Sequence, residues 1–204
     1  MKLELHNVVV ERGGRALFAP LSIGVESGTL LHVRGANGAG KTSLLRVLAG
    51  LSAASEGVVS WHQDNAPVVQ SAASTFVGHA NAINDALTVV ENLTYAASLV
   101  GLKVSPVRMG FALEQLGIFK LALRRVGTLS QGQRKRASLA RLLLREQPGS
   151  RAWLLDEPFV ALDIDTQKML EQLIASEIHA GAIVVLTSHQ PFSIDAVKTQ
   201  ELAL

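Results

Sequence analysis

One stretch constrains this chain more than any other: Gly35-Ala36-Asn37-Gly38-Ala39-Gly40-Lys41-Thr42, followed by Ser43. It fits the spacing G-x-x-x-x-G-K-[ST], in which glycines let the backbone curl until several N–H groups converge on one phosphate. Upstream, Thr29-Leu30-Leu31-His32-Val33 is a short apolar run bounded by Gly28 and Gly35, the pattern of a buried strand. Downstream, Leu44, Leu45 and Leu48 recur on one helical face before Gly50, a helix stop. Strand, glycine loop and helix are the context this motif needs, and the helix N-terminus adds partial positive charge. Lys41 can reach the β- and γ-phosphates, and the Thr42 hydroxyl can ligate Mg²⁺. The pattern predicts a nucleotide phosphate as ligand, with residues 35–43 as its contacts.

A chain of 204 residues, 48% hydrophobic and 18% charged, can build one sizeable α/β domain carrying a small subdomain. The absence of cysteine excludes disulfides and thiolate metal sites. A formal net charge of +2 is too small to argue for nucleic acid. The first residues, Met1-Lys2-Leu3-Glu4-Leu5-His6, lack the apolar segment of a signal peptide. The longest apolar runs, such as Ala182-Ile183-Val184-Val185-Leu186, fall far short of the roughly 20 residues that cross a bilayer. The expectation is a soluble, cytoplasmic-type protein.

In chain order, Leu3 to Val10 and Leu21 to Val25 read as strands around the Arg12-Gly13-Gly14-Arg15 turn, predicting a β-rich N-terminal layer. Gly57 to Trp61 and Ser74 to Gly78 read as further strands. The character then changes: Val90, Leu93, Ala97 and Val100 repeat at helical spacing, as do Val107, Phe111, Leu113, Leu116 and Phe119. This predicts a helical subdomain over residues 84–132, inserted within a single domain of residues 1–204. A helix should run from Ser130 to about Glu146, a buried strand over Ala152 to Leu155, and a helix from Asp165 to His179. Ile183 to Thr187 reads as a strand, Pro191 to Val197 as a short helix and Glu201 to Leu204 as a last strand. Strands and helices alternating around a phosphate loop imply a largely parallel sheet covered on both faces.

Asp156-Glu157-Pro158 follows the apolar strand directly. A carboxylate there suits the second anchor of Mg²⁺, a role that fits Asp156; Glu157, one residue on, suits the general base that polarises the attacking water. Leu129-Ser130-Gln131-Gly132-Gln133 opens a helix, with Ser130 as a good N-cap. Its free N–H groups offer a second place for a γ-phosphate.

Leu129-Ser130-Gln131-Gly132-Gln133 resembles the signature motif of the ATP-binding-cassette (ABC) ATPases, usually Leu-Ser-Gly-Gly-Gln, with Gln131 at a customary glycine. The remaining family motifs stand in order over the whole chain. Ala161-Leu162-Asp163 is similar to the D-loop, which in the family crosses a dimer interface. His189, in Thr187-Ser188-His189-Gln190-Pro191, is similar to the switch histidine that contacts the γ-phosphate. The resemblance implies the P-loop NTPase (ABC ATPase) α/β fold with an N-terminal antiparallel β layer and an inserted helical subdomain. It also implies ATP with Mg²⁺, and two copies paired head to tail. Each ATP would lie between one copy's loop and the other's Ser130, Gly132, Gln133 and Asp163. Two positions depart from the general pattern. Arg12 stands where many members place an aromatic under the adenine; its guanidinium can stack on a base or stay solvated at the turn. His79 stands where the Q-loop glutamine is usual.

Within the family, Gly78-His79, Leu87-Thr88-Val89-Val90-Glu91-Asn92-Leu93 and Leu186-Thr187-Ser188-His189-Gln190-Pro191 resemble the branch that serves cytochrome c maturation. Ala80-Asn81-Ala82 departs from the Gln-Pro-Gly common there. That resemblance implies a motor subunit of a haem-export-type complex, peripheral on the cytoplasmic face of the bacterial inner membrane. Its partners would be a membrane-spanning CcmB-like subunit and a haem-handling CcmC-like subunit. The six histidines show no paired ligand spacing, so direct haem binding is not expected. The basic run Arg134-Lys135-Arg136 lacks the aromatic interleaving of a nucleic-acid surface. The other readings are an ABC exporter for lipids or drugs, or a soluble ABC protein without a transporter. No Asn-Lys-x-Asp guanine-reading motif is present, so ATP specificity rests on the resemblance alone.

Overall fold

The computed structural model describes residues 1–64, 66–78, 80–147, 149, 151–188 and 194–204. Two compact units divide the chain: the first is Met1–Gly78, Pro148–Pro158 and Leu173–Leu204, the second His79–Gln147 and Phe159–Gln172.

The first unit holds β1 (Lys2–Val9), β2 (Glu11–Arg12), β3 (Arg15–Ala16), β4 (Leu21–Glu26), β5 (Thr29–Arg34), α1 (Lys41–Leu48), β6 (Glu56–Gln63), β7 (Ala66–Val68), α2 (Gln70–Ala73) and β8 (Ser74–Val77). Later segments add β9 (Ala152–Asp156), β10 (Ile183–Thr187) and β11 (Lys198–Ala203). One sheet has the order β4-β1-β6-β7, and all its pairings are antiparallel. The other has the order β11-β5-β10-β9-β8, and all its pairings are parallel. The sequence reading of an antiparallel N-terminal layer and a parallel sheet therefore holds. β5, β9 and β10 are almost wholly buried, which explains their continuous apolar runs: a strand inside a doubly covered parallel sheet has no solvent face.

α1 buries Leu44, Leu45, Val47 and Leu48, and these pack in one core with Leu3, Leu5, Val25, Leu31, Val33 and Leu154. Trp61 is buried at the far end of α1, where its indole Nε1 donates to the Leu48 carbonyl at 3.0 Å. That bond satisfies one of the carbonyls a helix C-terminus leaves orphaned.

The second unit contains α3 (Val89–Leu99), α4 (Pro106–Gln115) and α5 (Gln131–Leu139), with 3₁₀ turns at Phe119–Leu121, Val126–Thr128 and Ala140–Leu143. The residues 84–132 expected as a helical insertion fall within it. α3 starts with a reciprocal Thr88–Glu91 capping box, and α4 starts at the Ser105 N-cap with Pro106 in its first turn. α6 (Ile164–His179) starts in the second unit and ends in the first. Among the described residues no helix is long and apolar enough to cross a membrane.

Several expected boundaries differ. α3 buries Val89, Asn92, Leu93 and Ala97, whereas Val100 is exposed. The amide of Asn92 explains the inward turn: it bonds the backbone of Asn84 and the Thr88 carbonyl. Val107 and Phe119 also lie exposed, while Met109, Ala112 and Leu113 carry the packing of α4. The helix expected from Ser130 to Glu146 is α-helical only to Leu139, then tightens to 3₁₀. There the half-buried Arg141 guanidinium donates to the Ser138 carbonyl at 3.0 Å. Of the helix expected over residues 191–197, 191–193 lie outside the described residues. Residues 195–197 form a turn and bend, with Ala196 left-handed at φ +60°. The last strand is longer than expected because β11 pairs with β5 along its whole length.

Candidate nucleotide site

The carboxyl ends of β5, β10 and β9 lie side by side, and β5 and β9 each lead into candidate residues. Ligands of open parallel sheets gather at this edge. β5 leads into the glycine loop. Gly40, the cap of α1, is left-handed at φ +101°, and a Cβ there would meet the Phe18 ring at 2.9 Å. Glycine is therefore demanded twice, by conformation and by space. It also gives the first N–H groups of α1 no side-chain acceptor, which leaves them for an anion.

Lys41 is buried with its ammonium folded over the loop, donating to the carbonyls of Gly35 at 2.7 Å and Ala36 at 3.0 Å. One residue on, Thr42 Oγ1 donates to Asp156 Oδ2 at 2.8 Å, across 114 residues of sequence. Asp156 is 1% exposed. Its other oxygen, Oδ1, accepts the Thr187 hydroxyl at 2.8 Å. Among the described residues no salt bridge reaches this carboxylate; its hydrogen-bond partners are neutral hydroxyls. A buried anion so placed fits a divalent cation, and Mg²⁺ commonly takes one or two protein oxygens alongside substrate phosphates. Thr42 and Asp156 are the residues that would hold it.

Glu157 follows in a left-handed conformation, φ +49°, and its N–H donates to Thr187 Oγ1 at 3.0 Å. It is half-buried and borders a cavity of ≈ 220 Å³ whose lining includes Arg12, Asn37, Lys41, Thr42 and Ser43. Arg12 reaches this lining from the β2–β3 hairpin, whose turn residues Gly13 and Gly14 both have positive φ. The structure thus gathers the loop, both consecutive carboxylates and Arg12 in the first unit.

Ser130, Gly132, Gln133 and Asp163 belong to the second unit. Ser130 caps α5 through a reciprocal box: the Gln133 N–H donates to Ser130 Oγ at 3.3 Å, and the Ser130 N–H donates to Gln133 Oε1 at 3.0 Å. The box consumes the N–H groups of residues 130 and 133 and leaves those of Gln131 and Gly132 at the helix mouth. A Cβ on Gly132 would lie 3.2 Å from the Ala161 carbonyl, so the motif glycine sits close against the segment preceding Asp163. Asp163 caps α6, accepting the Thr166 N–H at 2.8 Å, and pairs with Arg136 at 3.9 Å. The Thr166 hydrogen bonds, aided by Arg136, hold its carboxyl below the ordinary value. His79 and His189 lie outside the described residues.

Sequence reasoning missed Thr187, which touches both carboxylate positions. The available signal was a single polar residue closing an otherwise apolar strand. It also missed Arg141, whose half-buried guanidinium joins the Ser138 hydroxyl in holding the Asn81 carbonyl, at 3.2 and 2.8 Å. A basic residue in a basic helix carries no such signal.

The ABC transporter family model matches residues 18–160. The cytochrome c biogenesis ATP-binding export protein CcmA of Albidiferax ferrireducens is 40% identical, covering 95% of this chain and 92% of its own. The protein of the same name from Dechloromonas aromatica is 40% identical over 99% of both chains. Among solved structures, a putative ABC transporter ATP-binding protein from Pyrococcus furiosus superposes with a TM-score of 0.82 at 26% identity, covering 99% of this chain and 98% of that one. An ATP-binding subunit of an ABC transporter superposes with a TM-score of 0.79 at 20% identity, covering 93% and 80%, a likeness of fold.

Proposed function

Since the chain belongs to the ABC transporter ATPases, and among them to the CcmA type, we propose that it is the motor subunit of a membrane complex for cytochrome c maturation. It is an ATPase of the kind that powers a membrane transporter. In the proposed cycle two copies pair head to tail, so that one chain type supplies both halves of each site. The loop N–H groups and Lys41 hold the β- and γ-phosphates of ATP. Thr42 and Asp156 hold Mg²⁺, which supplies charge neutralisation on the phosphate oxygens when bound. Glu157 accepts the proton of the attacking water, and His189 contacts the γ-phosphate. The second copy's Ser130 and the α5 N–H groups of Gln131 and Gly132 close over the same phosphate, and its Asp163 segment crosses the interface beside them. Because closure makes contacts that the open state lacks, ATP can shift the pair toward the closed form.

The observation that carries this reading is the meeting of Lys41, Thr42, Asp156 and Glu157 at one sheet edge, from segments 114 residues apart. The partners would be CcmB-like and CcmC-like membrane subunits, with the ATPase peripheral on the cytoplasmic face of the inner membrane and no haem contact of its own. Exposed apolar side chains on the second unit support a protein partner; Val107 and Leu123 are each 83% exposed. The test is to purify the Glu157→Gln variant from detergent-solubilised membranes with ATP and identify what accompanies it. A CcmB/CcmC-like pair is the expected result. Recovery of a different permease would keep the ATPase chemistry and discard the cytochrome c role.

A further inference from the structure

The strand order places β10 between β5, which leads to the phosphate loop, and β9, which ends in Asp156. β9 is flanked by β8 on its other side, but the β8 register ends with Val77 opposite Leu155, whereas β10 places its last residue opposite Asp156. That residue is Thr187, the only polar residue of Ile183-Val184-Val185-Leu186-Thr187, and it is fully buried. Its register partners are Val33 on one side and Asp156 on the other. A valine would match its shape and its β-branching; what threonine adds is the hydroxyl.

A hydroxyl has one proton to give and lone pairs to accept with. Thr187 gives its proton to Asp156 Oδ1 at 2.8 Å, which fixes the rotor, and accepts the Glu157 N–H at 3.0 Å. With Oδ1 held from inside the sheet, Oδ2 faces Thr42 of the loop. The Glu157 backbone is meanwhile held in the left-handed region, where a non-glycine residue needs a specific contact to persist. The next residue, Ser188, ties the same strand end to β5 through a 2.9 Å contact between its Oγ and His32 Nε2.

We infer that Thr187 is a positioning residue that aims Asp156 at the metal position and Glu157 at the attacking water with one hydroxyl. The inference rests on the ATPase reading above, and predicts that losing the hydroxyl impairs use of Mg²⁺ and turnover without impairing nucleotide binding itself.

The experiment compares wild type, Thr187→Val and Thr187→Ser. It measures equilibrium binding of a fluorescent ATP analogue with and without Mg²⁺, and steady-state ATP turnover across a Mg²⁺ series. Thr187→Val should bind the analogue without Mg²⁺ as wild type does and lose most of the tightening that Mg²⁺ brings. Its Mg²⁺ requirement should rise, and its kcat fall, by about 10–100-fold, the usual cost of deleting an outer partner of a ligand. Thr187→Ser should restore both. Wild-type Mg²⁺ dependence and kcat in Thr187→Val would overturn the positioning role. Failure of Thr187→Ser equal to that of Thr187→Val would also overturn it, by showing that the methyl group matters rather than the hydroxyl. If thermal unfolding shows that Thr187→Val does not fold, Thr187→Ser and Thr187→Cys carry the comparison, being alike in shape and unlike in hydrogen bonding. A wild-type protein that neither binds nor hydrolyses ATP would instead overturn the underlying reading.

Discussion

Two helices in this chain begin at candidate phosphate sites, and they begin in opposite ways. α1 starts at Gly40, left-handed and without a side-chain cap, beside a lysine folded onto its own loop. α5 starts at Ser130, extended, with Ser130 and Gln133 satisfying each other. The first N-terminus is left incomplete by its own residues and has N–H groups open to an anion. The second is capped by its own side chains, which leave the Gln131 and Gly132 N–H groups at its mouth. The difference suits the proposed cycle: the loop grips ATP first, and a preformed second surface is offered to it.

The largest effects should fall on the incomplete side. Glu157→Gln should reduce turnover by about 10²–10⁴-fold while nucleotide affinity stays within a few-fold, since it removes a proton acceptor and keeps the shape; steady-state kinetics beside equilibrium binding would check this. Lys41→Ala should weaken ATP binding about 100-fold, roughly 2.8 kcal/mol of charge-assisted contact, as read by calorimetry. Gly40→Ala forces a side chain onto the Phe18 ring in a left-handed position, and should cost about 1–3 kcal/mol in chemical denaturation. On the self-capped side, Ser130→Ala should cost only about 1 kcal/mol through loss of the cap. If the Ser130 change proved costlier to the isolated chain than Gly40→Ala, the contrast between the two helices would be misdrawn.

A smaller effect comes from His32. Burial is the main cause holding its imidazole below the ordinary histidine value, with Glu201 opposing and Arg34 reinforcing the shift. The folded chain thus favours the neutral ring. Its contribution to stability is present above about pH 6.5 and falls as the pH drops from there toward the lowered folded value. His32→Gln should flatten that part of a urea-midpoint profile, whereas an unchanged slope would assign the acid sensitivity elsewhere.

What was legible in the sequence was what is contiguous. The loop, the apolar strand that delivers Asp156 and the Ser130 cap of α5 each depend on neighbours in the chain, so spacing reveals them. What was hidden depends on pairing across the sheet. Thr187 acquires its role only because β10 lies between β5 and β9, a fact of topology. β11 is an edge strand, Lys198-Thr199-Gln200-Glu201-Leu202-Ala203, held by main-chain pairing to β5, and its polar residues gave little hydrophobic pattern to find. Arg141 was unreadable for the converse reason: a guanidinium that bonds the backbone of Ser138 and Asn81 looks in sequence like a solvated one.

The most direct test of the account is the solution mass of the Glu157→Gln variant with Mg²⁺ and ATP, measured by light scattering, beside the same variant carrying Ser130→Glu. The account predicts twice the monomer mass for the first, only with ATP present, and a monomer for the second, because the added carboxylate would face the γ-phosphate. A nucleotide-loaded Glu157→Gln variant that stays monomeric, or a dimer that ignores Ser130→Glu, would contradict the claim that the two helix ends share one ATP.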